Sequence, residues 1–361
     1  PGPDAIPFAA YRATVDIAGP ILHGCIRHLR AGKPPPDGFN AGSLVLLPKK
    51  GLGTAEDTRP LVINNTDNRI IAKCIKNSIN DSLEKLLSTH QNGFREGRST
   101  DTNVSFFNEK FYSALEQGKF YDVLLADFQK AFDSVDHDAI FELLDSVGYD
   151  KGTQYSIRAL FQDAHCYTTI KGAAPTRIDF HSGVKQGCPL SPSLFILVMD
   201  VIIDMLTATT GADVKCFADD LAIGAENLHQ YLHTIKQCFK IFGDATGLRI
   251  NPTKSAIVPT GGASSLREYL ESVGWGDMQV LDQVMYLGVP IGRAVTLDTV
   301  FKQPHAKLVS RLTKFSKVKH KYSLQDRVLI WNVWLLPIMS YVCKFFVMPC
   351  CYTSLIDRDC A

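Results

Sequence analysis

The sequence lacks several features that would assign a chain quickly to a class of protein. Its ten cysteines are scattered from Cys25 to Cys360, and no two of them have CxxC spacing. The adjacent pair Cys350–Cys351 fits neither a zinc knuckle nor a zinc finger. We find no secretory signal peptide. These absences favour reduced, buried thiols in an intracellular protein over a disulfide framework or a zinc module.

Repeats, low-complexity tracts and a net charge of one sign are also missing. The chain has 361 residues, of which 45% are hydrophobic, and its net charge is +1. It can therefore bury a sizeable core, in one large domain or in two to three ordinary ones. A neutral total does not announce a nucleic-acid partner, although a basic groove remains compatible with it. The chain starts at Pro1 without a methionine, so we expect a fragment or a processed chain.

Long uninterrupted hydrophobic runs are scarce. The stretch VLIWNVWLLPIMSYVCKFFVMPCC, residues 328–351, is long enough to span a bilayer. Polar residues and a proline interrupt it, at Asn332, Pro337, Ser340 and Lys344. Because a charge within a span is costly, the stretch is predicted to form one or two buried helices broken near Pro337. No membrane contact is expected.

Apolar patterns place several elements of secondary structure. The run YDVLLADF (121–128) indicates a buried strand, and residues 138–147 have the spacing of a helix. Another helix is predicted to start with Ser191 as N-cap and Pro192 in its first position. DVKCFADDLAIG (213–224) indicates a hairpin, followed by a helix over 228–242 and the strand SAIV (255–258). This mixture predicts an α+β sheet of the split β-α-β type, with helices packed on one face.

Three aspartates interrupt these apolar runs. Asp127 ends the first strand, whereas Asp219 and Asp220 lie at the turn of the hairpin. Each feature alone is compatible with a solvated turn or a helix entry. Together they carry charge into apolar surroundings, where an unpaired carboxylate is unfavourable and like charges raise each other's pKa. Divalent cations would remove both penalties, so the aspartates are candidates for a two-metal phosphoryl-transfer site. Spacing alone does not make the two strands neighbours.

The motifs in the chain resemble those of reverse transcriptases, in the order of that family. KAFDSVDH together with QGCPLSP is the specific part of the resemblance, whereas FADD alone is weak. The non-LTR retrotransposon branch fits best, although QGCPLSP is shared with group II intron proteins. The matching segments cover roughly residues 40–292: fingers motifs in 44–65 and 91–103, motif A in 124–137, motif B in 183–195, motif C in 217–220, motif D in 247–255 and motif E in 285–292.

The resemblance implies a right-hand polymerase that copies RNA into DNA. It implies fingers with an N-terminal extension over 1–120, a palm over 121–292 with fingers residues near 151–182, and a partial thumb over 293–361 that is expected to be truncated. Asp127, Asp219 and Asp220 would bind two Mg²⁺ ions, for which Mn²⁺ is an alternative, with the Phe128 carbonyl assisting. The implied partners are an RNA template, a DNA primer and dNTPs.

Other positions match residues that bind the incoming nucleotide. Phe132 matches the steric gate that excludes a 2′-OH, but it is equally well explained as a core ring. Gln186 and Gly187 match the motif B pair beside the nucleotide. Lys49 and Arg59 match basic fingers positions that hold the triphosphate, with Lys50 an equal candidate for the lysine and solvated surface charge the alternative.

The remaining matches concern the leaving group and the nucleic acid. Lys254 is the candidate general acid for pyrophosphate, although an exposed turn lysine would look the same. Arg95 and Arg98 are predicted to contact the template backbone, and Tyr286, Leu287 and Gly288 to place the primer end. Basic residues after 292 suit a thumb on a duplex, or simply the polar face of a helix. They are Lys302, Lys307, Arg311, Lys314, Lys317, Lys319 and Lys321.

Alternative functions stay open from sequence alone. The fold could be kept by a non-catalytic RNA-binding protein, but Asp127 and Asp219 are both present. An intron maturase would carry a further domain. An RNA-dependent RNA polymerase is disfavoured, because its motif C is normally Gly-Asp-Asp and its motif B lacks QGxPLSP. The retrotransposon resemblance implies action inside the cell, in the nucleus, and it leaves the oligomeric state open.

Overall fold

Helices and strands alternate along the chain, whose computed structural model describes residues 1–49, 58–168, 174–261 and 264–354. The helices are α1 (Phe8–Ala13), α2 (Val15–Arg30), α3 (Thr66–Leu86), α4 (Thr100–Glu116), α5 (Ala131–Ser134), α6 (His137–Ser146), α7 (Lys151–Ala159), α8 (Ser191–Thr210), α9 (Leu232–Thr246), α10 (Ser264–Ser272), α11 (Leu297–Ser316), α12 (Leu324–Ile330) and α13 (Leu336–Val342). The strands are β1 (Ala41–Pro48), β2 (Thr58–Asn64), β3 (Asp122–Ala126), β4 (His165–Thr168), β5 (Arg177–Asp179), β6 (Asp213–Phe217), β7 (Asp220–Ala225), β8 (Ala256–Pro259), β9 (Gln279–Val280), β10 (Val284–Tyr286) and β11 (Val289–Ile291).

The central sheet has the strand order β6-β7-β3-β8-β9. Strand β3 lies in its middle and pairs antiparallel with both β7 and β8. β3 is a nearly continuous buried run because both of its faces are covered. The predicted hairpin at 213–224 is confirmed, since β6 and β7 pair antiparallel with Phe217 opposite Asp220. The prediction of an α+β fold with strands and helices interleaved is confirmed as well.

The prediction that helices cover one face of this sheet is wrong. Leu124 of β3 points into a core formed with α8 and α9, as the sequence predicts. Its neighbour Val123 points into a second core, which contains Phe107 and Phe111 of α4 together with the β10–β11 hairpin. Alternate residues of a strand face opposite sides, so the apolar run in β3 serves two cores. The predicted boundary at residue 120 thus separates α4 from a sheet against which it packs.

A second sheet has the strand order β2-β1-β4-β5. β1 pairs antiparallel with β2 and parallel with β4, whose sequence position lies within the 151–182 segment assigned to the fingers. β4 continues antiparallel into β5. The β1–β2 pair ends in Pro48 opposite Thr58, so both Lys49 and Arg59 lie at its outer end.

Helix α8 is the apolar helix at the centre of the palm core. It begins at Ser191, with Leu190 at the N-cap position and Pro192 in its first turn, so the predicted Ser191 cap is one residue out. Of the described helices, only this one is long and apolar enough to cross a membrane. Most of it is buried inside the protein, against residues of β6 and α9 among others. Core helices commonly have this composition.

The apolar stretch near the C-terminus differs from its prediction. It forms α12, a π-helical segment at Trp331–Leu335 and α13, so the irregular turn comes before Pro337, which lies in the first turn of α13. Leu335 and Met339 pack into a third core with Phe301 of α11. The opposite face is not buried, with Leu329, Val333 and others exposed. The predicted burial therefore holds only for the side that packs into this core. The cysteines of the described residues are free thiols.

Candidate active site

The strand register brings the predicted carboxylates together at one end of the central strands, where β3 ends and β7 begins. The last paired residues of β3 and β7 are Ala126 and Leu221. One step further along the same antiparallel register, Asp127 lies opposite Asp220. Asp219 is the second residue of the two-residue turn between β6 and β7, and Asp220 follows it as the first residue of β7. The two strands that sequence spacing could not relate are therefore neighbours.

Asp127 has its backbone fixed by a segment that follows α9. Its N–H donates to Ser255 Oγ at 3.0 Å, and its carbonyl accepts from the Asn251 N–H at 2.7 Å. The next residue, Phe128, makes an isolated antiparallel bridge to Ile250. In a bridge of this type, the N–H and carbonyl of Phe128 itself point away from the 249–251 strip. The hydrogen bonds to Ser255 and Asn251 thus fix the backbone from which the Asp127 side chain extends.

The three carboxylates have raised pKa values. Loss of surrounding water raises the pKa of Asp220 to about 6, with the negative charges of Asp219 and Asp127 adding to it. Asp220 keeps accessible surface at the turn end of the hairpin, yet neighbouring protein still crowds its carboxyl group. Burial also raises the pKa of Asp219, and the charge of Asp127 contributes. At this site burial disfavours the ionised form of all three carboxylates, and for Asp219 and Asp220 the neighbouring negative charge does so as well.

Three predicted basic residues lie close enough to act on these carboxylates. Burial raises the pKa of Asp127, while the positive charges of Lys254 and Lys49 lower it. Arg59 likewise lowers the pKa of Asp219. The outer end of the β1–β2 pair and the turn before β8 thus both face the aspartates. Lys50, the other candidate lysine, lies outside the described residues.

The motif B loop is fastened to β2. The Val62 N–H donates to the Gln186 carbonyl at 2.8 Å. Gly187 has a φ of +118°, and a Cβ there would lie 2.4 Å from the Val62 carbonyl oxygen. Only glycine fits such a position without moving the backbone of β2. The Gln186 side chain donates to Asp133 Oδ1 at 3.3 Å, so Asp133 does more than stabilise its own turn.

Phe132 lies in a stack of aromatic rings. It stacks on Phe195 of α8 at a centroid distance of 4.2 Å. Phe94 meets its other side edge-on at 6.1 Å. The ring is half-buried, so it packs on the core and still keeps part of its surface exposed. Geometry is compatible with both explanations of Phe132.

The predicted template contact of Arg95 is not placed as expected. The Arg95 side chain is only 4% exposed and donates to Glu84 Oε2 at 2.8 Å. It also donates to the carbonyls of Ser88 at 2.6 Å and Gln91 at 3.0 Å. A guanidinium held in this way inside the protein does not reach a template phosphate, so this prediction is wrong. Arg98 is exposed and remains a candidate.

Arg311 also differs from the basic residues with which it was grouped. Its guanidinium lies 5.1 Å from the centroid of the Trp334 ring and donates to the Trp334 carbonyl. It therefore joins α11 to the π-helical segment. The six lysines of that group are exposed.

The predicted primer-grip residues form a tight hairpin turn. Tyr286 pairs with Val289, leaving Leu287 and Gly288 as the two turn residues, both with positive φ. The Tyr286 ring is buried, so the turn presents Leu287 and Gly288 rather than the tyrosine ring. The Tyr341 hydroxyl of α13 donates to the Leu287 carbonyl at 2.6 Å. A leucine at positive φ is strained, which is typical of functional turns.

Sequence reasoning missed a chain of buried polar side chains behind the site. The Gln91 side chain contacts the turn that carries Asp219. Asn92 donates to Asn103 Oδ1 at 2.5 Å, and Asn103 donates to the Tyr286 hydroxyl at 3.3 Å. The residues QNGFREGR (91–98) contain the two arginines that sequence reasoning singled out. The better signal was their uncharged amides, because buried amides need partners.

The donor set fits a hard divalent cation. Asp127, Asp219 and Asp220 offer carboxylate oxygens, which Mg²⁺ prefers, and burial is the main cause of their raised pKa values. They are set farther apart than one compact ligand cluster. Within the described ranges, the only potential ligand atoms of three side chains within 4.8 Å of one another belong to Asp163, His165 and Asp179.

That compact cluster already has a cation. Arg177 donates to Asp163 Oδ1 at 2.6 Å and to Asp179 Oδ1 at 2.8 Å. The guanidinium neutralises the exposed carboxylates of Asp163 and Asp179, so an ion-pair network accounts for this cluster. The aspartates at the edge of the central sheet are the better candidates for metal binding.

Comparison with known proteins agrees with this geometry. The family described as reverse transcriptase (RNA-dependent DNA polymerase) matches residues 47–291. The transposon TX1 149 kDa protein of Xenopus laevis is 26% identical over 347 residues, covering 92% of this chain and 26% of that protein. The Pol polyprotein of the type-1 retrotransposable element R2 of Popillia japonica is 31% identical over 247 residues, covering 64% and 34%. The chain spans about a quarter to a third of these relatives.

Solved structures share the fold at low sequence identity. Telomerase from Candida tropicalis, in complex with a fragment of telomeric RNA, superposes with a TM-score of 0.53 at 13% identity, covering 92% of this chain and 59% of that one. The apo form of that enzyme gives 0.51 at 14% identity, covering 83% and 57%. These likenesses concern the right-hand polymerase fold alone. The family match over residues 47–291, together with the transposon TX1 and R2 relatives, shows that the chain belongs to the reverse transcriptase family, as a domain of the non-LTR retrotransposon type.

Proposed function

We propose that the chain is the RNA-directed DNA polymerase domain of a non-LTR retrotransposon polyprotein. The observation that carries this proposal is the meeting of Asp127 with Asp219 and Asp220 at one sheet edge, facing Lys49, Arg59 and Lys254. Carboxylates that bind metal, beside cations that bind phosphate, are what nucleotidyl transfer requires. The family match and the relatives support the same activity.

The metal part of the mechanism rests on the three aspartates. Asp127 and Asp219 would hold two Mg²⁺ ions with Asp220 and the Phe128 carbonyl assisting, and Mn²⁺ is an alternative. Bound there, the ions supply activation of the primer 3′-OH and neutralisation of charge on the α-phosphate and pyrophosphate. The chain contributes a rigid strand edge, since the backbone of Asp127 is tied to Asn251 and Ser255. Fixed ligands avoid reorganisation during the reaction.

The remaining side chains bind and orient the nucleotide. Arg59 and Lys49 hold triphosphate oxygens, and the Gln186–Gly187 backbone supports the base and sugar where it crosses β2. Phe132 excludes a 2′-OH with the edge that its stack leaves open. Lys254 donates a proton to the departing pyrophosphate, which its position beside Asp127 allows.

The partners of this reaction are an RNA template, a DNA primer and dNTPs. Arg98 and the exposed lysines of α11 contact phosphates, and the Leu287–Gly288 turn places the primer end. The chain acts inside the cell, in the nucleus, if it follows the retrotransposon class to which its sequence is related.

The first test is extension of a DNA primer on an RNA template with dNTPs and Mg²⁺. The variant Asp219→Ala should lower kcat by about 10³-fold or more, because it removes a metal ligand. Template–primer binding should be unchanged, since the aspartate is not needed for it. The matched control is Asp244→Ala, which removes an exposed aspartate paired with Lys240 on the surface of α9 and should retain full activity.

Three outcomes separate the candidate functions. Extension that is lost only in Asp219→Ala supports the proposal. Binding of RNA without extension by the wild-type chain would identify a non-catalytic RNA-binding protein. Extension that survives in Asp219→Ala would show that the metal ligands lie elsewhere.

A further inference from the structure

The turn that carries Asp219 contains a strained residue. Ala218 has a φ of +59° at the first position of the two-residue turn between β6 and β7. Hairpin turns with a positive φ at this position prefer glycine, and a side chain there is unfavourable. Such backbone strain persists only where the surroundings hold it in place.

Gln91 holds both backbone groups of Ala218. Its side chain is fully buried at 0% exposure, and its Oε1 accepts from the Ala218 N–H at 3.1 Å. Its Nε2 donates to the Ala218 carbonyl at 3.4 Å. The same Oε1 also accepts from the Gly93 N–H at 2.8 Å. One amide side chain therefore joins the turn to the segment 90–93.

Backbone contacts on either side of Gln91 run parallel to β6. The Cys216 N–H donates to the His90 carbonyl at 2.9 Å, and the Asn92 N–H donates to the Cys216 carbonyl at 2.8 Å. Gly93 lies directly against the turn, where a Cβ would come within 2.1 Å of the Ala218 nitrogen. The turn is thus held from one side by hydrogen bonds and by close contact.

The segment itself is anchored to α3. Arg95, whose expected template contact is absent, donates to the carbonyls of Ser88 and Gln91 and to Glu84 near the end of α3. Buried arginine bonds of this kind are geometrically specific. The segment that holds the turn is therefore itself fixed to the long helix α3.

We propose that Gln91 is a positioning residue for the metal-binding aspartates. By holding Ala218 in its strained conformation, it fixes the direction in which Asp219 and Asp220 leave the turn. This inference rests on the proposed function for its kinetic readout, but not for its metal-binding readout. Without the amide, the turn relaxes toward negative φ and the carboxylates move away from Asp127. Displacing metal ligands from their positions lowers the rate of catalysis strongly.

The test compares Gln91→Met with Gln154→Met. Gln154 is a matched control, because it is also buried, at 3% exposure, and also donates to a backbone carbonyl, that of Tyr149, but it lies on α7. Mn²⁺ binding to the free protein is measured by electron paramagnetic resonance. Single-nucleotide extension gives kcat and the Mg²⁺ activation midpoint, and melting temperatures report folding.

Gln91→Met is expected to weaken Mn²⁺ binding and to lower kcat by about tenfold or more, with template–primer affinity within about twofold of wild type. Gln154→Met should lower only the melting temperature. Adding Ala218→Gly should recover part of the loss in Gln91→Met, because glycine adopts a positive φ without strain. That double variant also provides a folded protein if Gln91→Met alone does not fold.

Equal Mn²⁺ affinity in wild type and Gln91→Met would overturn the inference, as would equal losses in Gln91→Met and Gln154→Met. A double variant with no recovery would also count against it. If the wild-type chain does not extend primers at all, the proposed function fails. The Mn²⁺ comparison then still decides whether Gln91 positions the aspartates.

Discussion

At the scale of single residues, the chemistry of the site could be predicted where charge conflicts with apolar context. Asp127, Asp219 and Asp220 stand out because each interrupts a buried run. Gln91 could not be found in this way, since its role depends on a turn more than a hundred residues away in the sequence. Its partner is supplied by tertiary structure alone.

Phe132 offers a prediction that separates its two explanations. Phe132→Val should lower the preference for dNTPs over rNTPs in kcat/KM by about tenfold or more, since a smaller side chain admits the 2′-OH. Steady-state extension with each nucleotide measures this ratio.

The control for Phe132 is Phe239→Val, which removes a buried ring from the same core on α9 without touching Phe132. Each variant should lose about 3 kcal/mol of stability or less, as core ring truncations do. If both variants melt earlier and neither changes sugar preference, Phe132 is a core residue only.

At the scale of elements, periodicity predicted the helices that bury one stripe. α6 and α9 form where apolar residues recur at helical spacing, but α9 begins only at Leu232, and residues 228–231 of the predicted helix form a 3₁₀ turn. The burial of the stretch 328–351 is only partial, and hydrophobicity alone does not tell how many faces a helix buries. There α13 buries Met339 and Val342, whereas Leu329 of α12 stays exposed.

The contact between α13 and the β10–β11 turn gives an element-scale prediction. Tyr341→Phe removes the hydroxyl that donates to the Leu287 carbonyl and leaves the ring in place. The turn should then hold the primer end less firmly, so primer dissociation accelerates several-fold while single-nucleotide kcat stays nearly unchanged. A trap assay for processivity measures the effect.

Lys344→Ala is the comparison for Tyr341→Phe. It removes an exposed ion pair from the same region, between Lys344 and Asp101 at 2.6 Å. Exposed pairs contribute little, so processivity should hardly change. Equal losses in both variants would mean that general loosening of α13, rather than the Leu287 contact, controls the primer.

At the scale of the whole molecule, the near-neutral total charge conceals an asymmetry. Six exposed lysines follow one another in α11 and in the residues directly after it, whereas Arg311 of the same helix contacts the Trp334 ring. Composition alone could not separate these roles, because all seven residues look alike in sequence. The fold supplied the distinction by placing Trp334 beside Arg311.

The exposed lysines predict a salt dependence. Substituting Lys302, Lys307 and Lys314 by glutamine should weaken binding to a template–primer duplex and reduce the slope of log K against log salt by roughly one unit per lost phosphate contact. Fluorescence anisotropy over a salt series measures the slope. The control Lys240→Gln removes an exposed lysine from α9. An unchanged slope in the triple variant would place the duplex on another surface.

The support of Asp127 from Asn251 and Ser255 has a consequence for synthesis of the protein. When translation has reached residue 250, all three aspartates and the strands that carry them have already been made. The partners of the Asp127 backbone are then still untranslated, and so is β8, which completes the pairing of β3. Because domains form from their N-terminal side as the chain emerges, the catalytic edge is assembled late. Products of premature termination before Ser255 therefore carry every proposed metal ligand and no supported site.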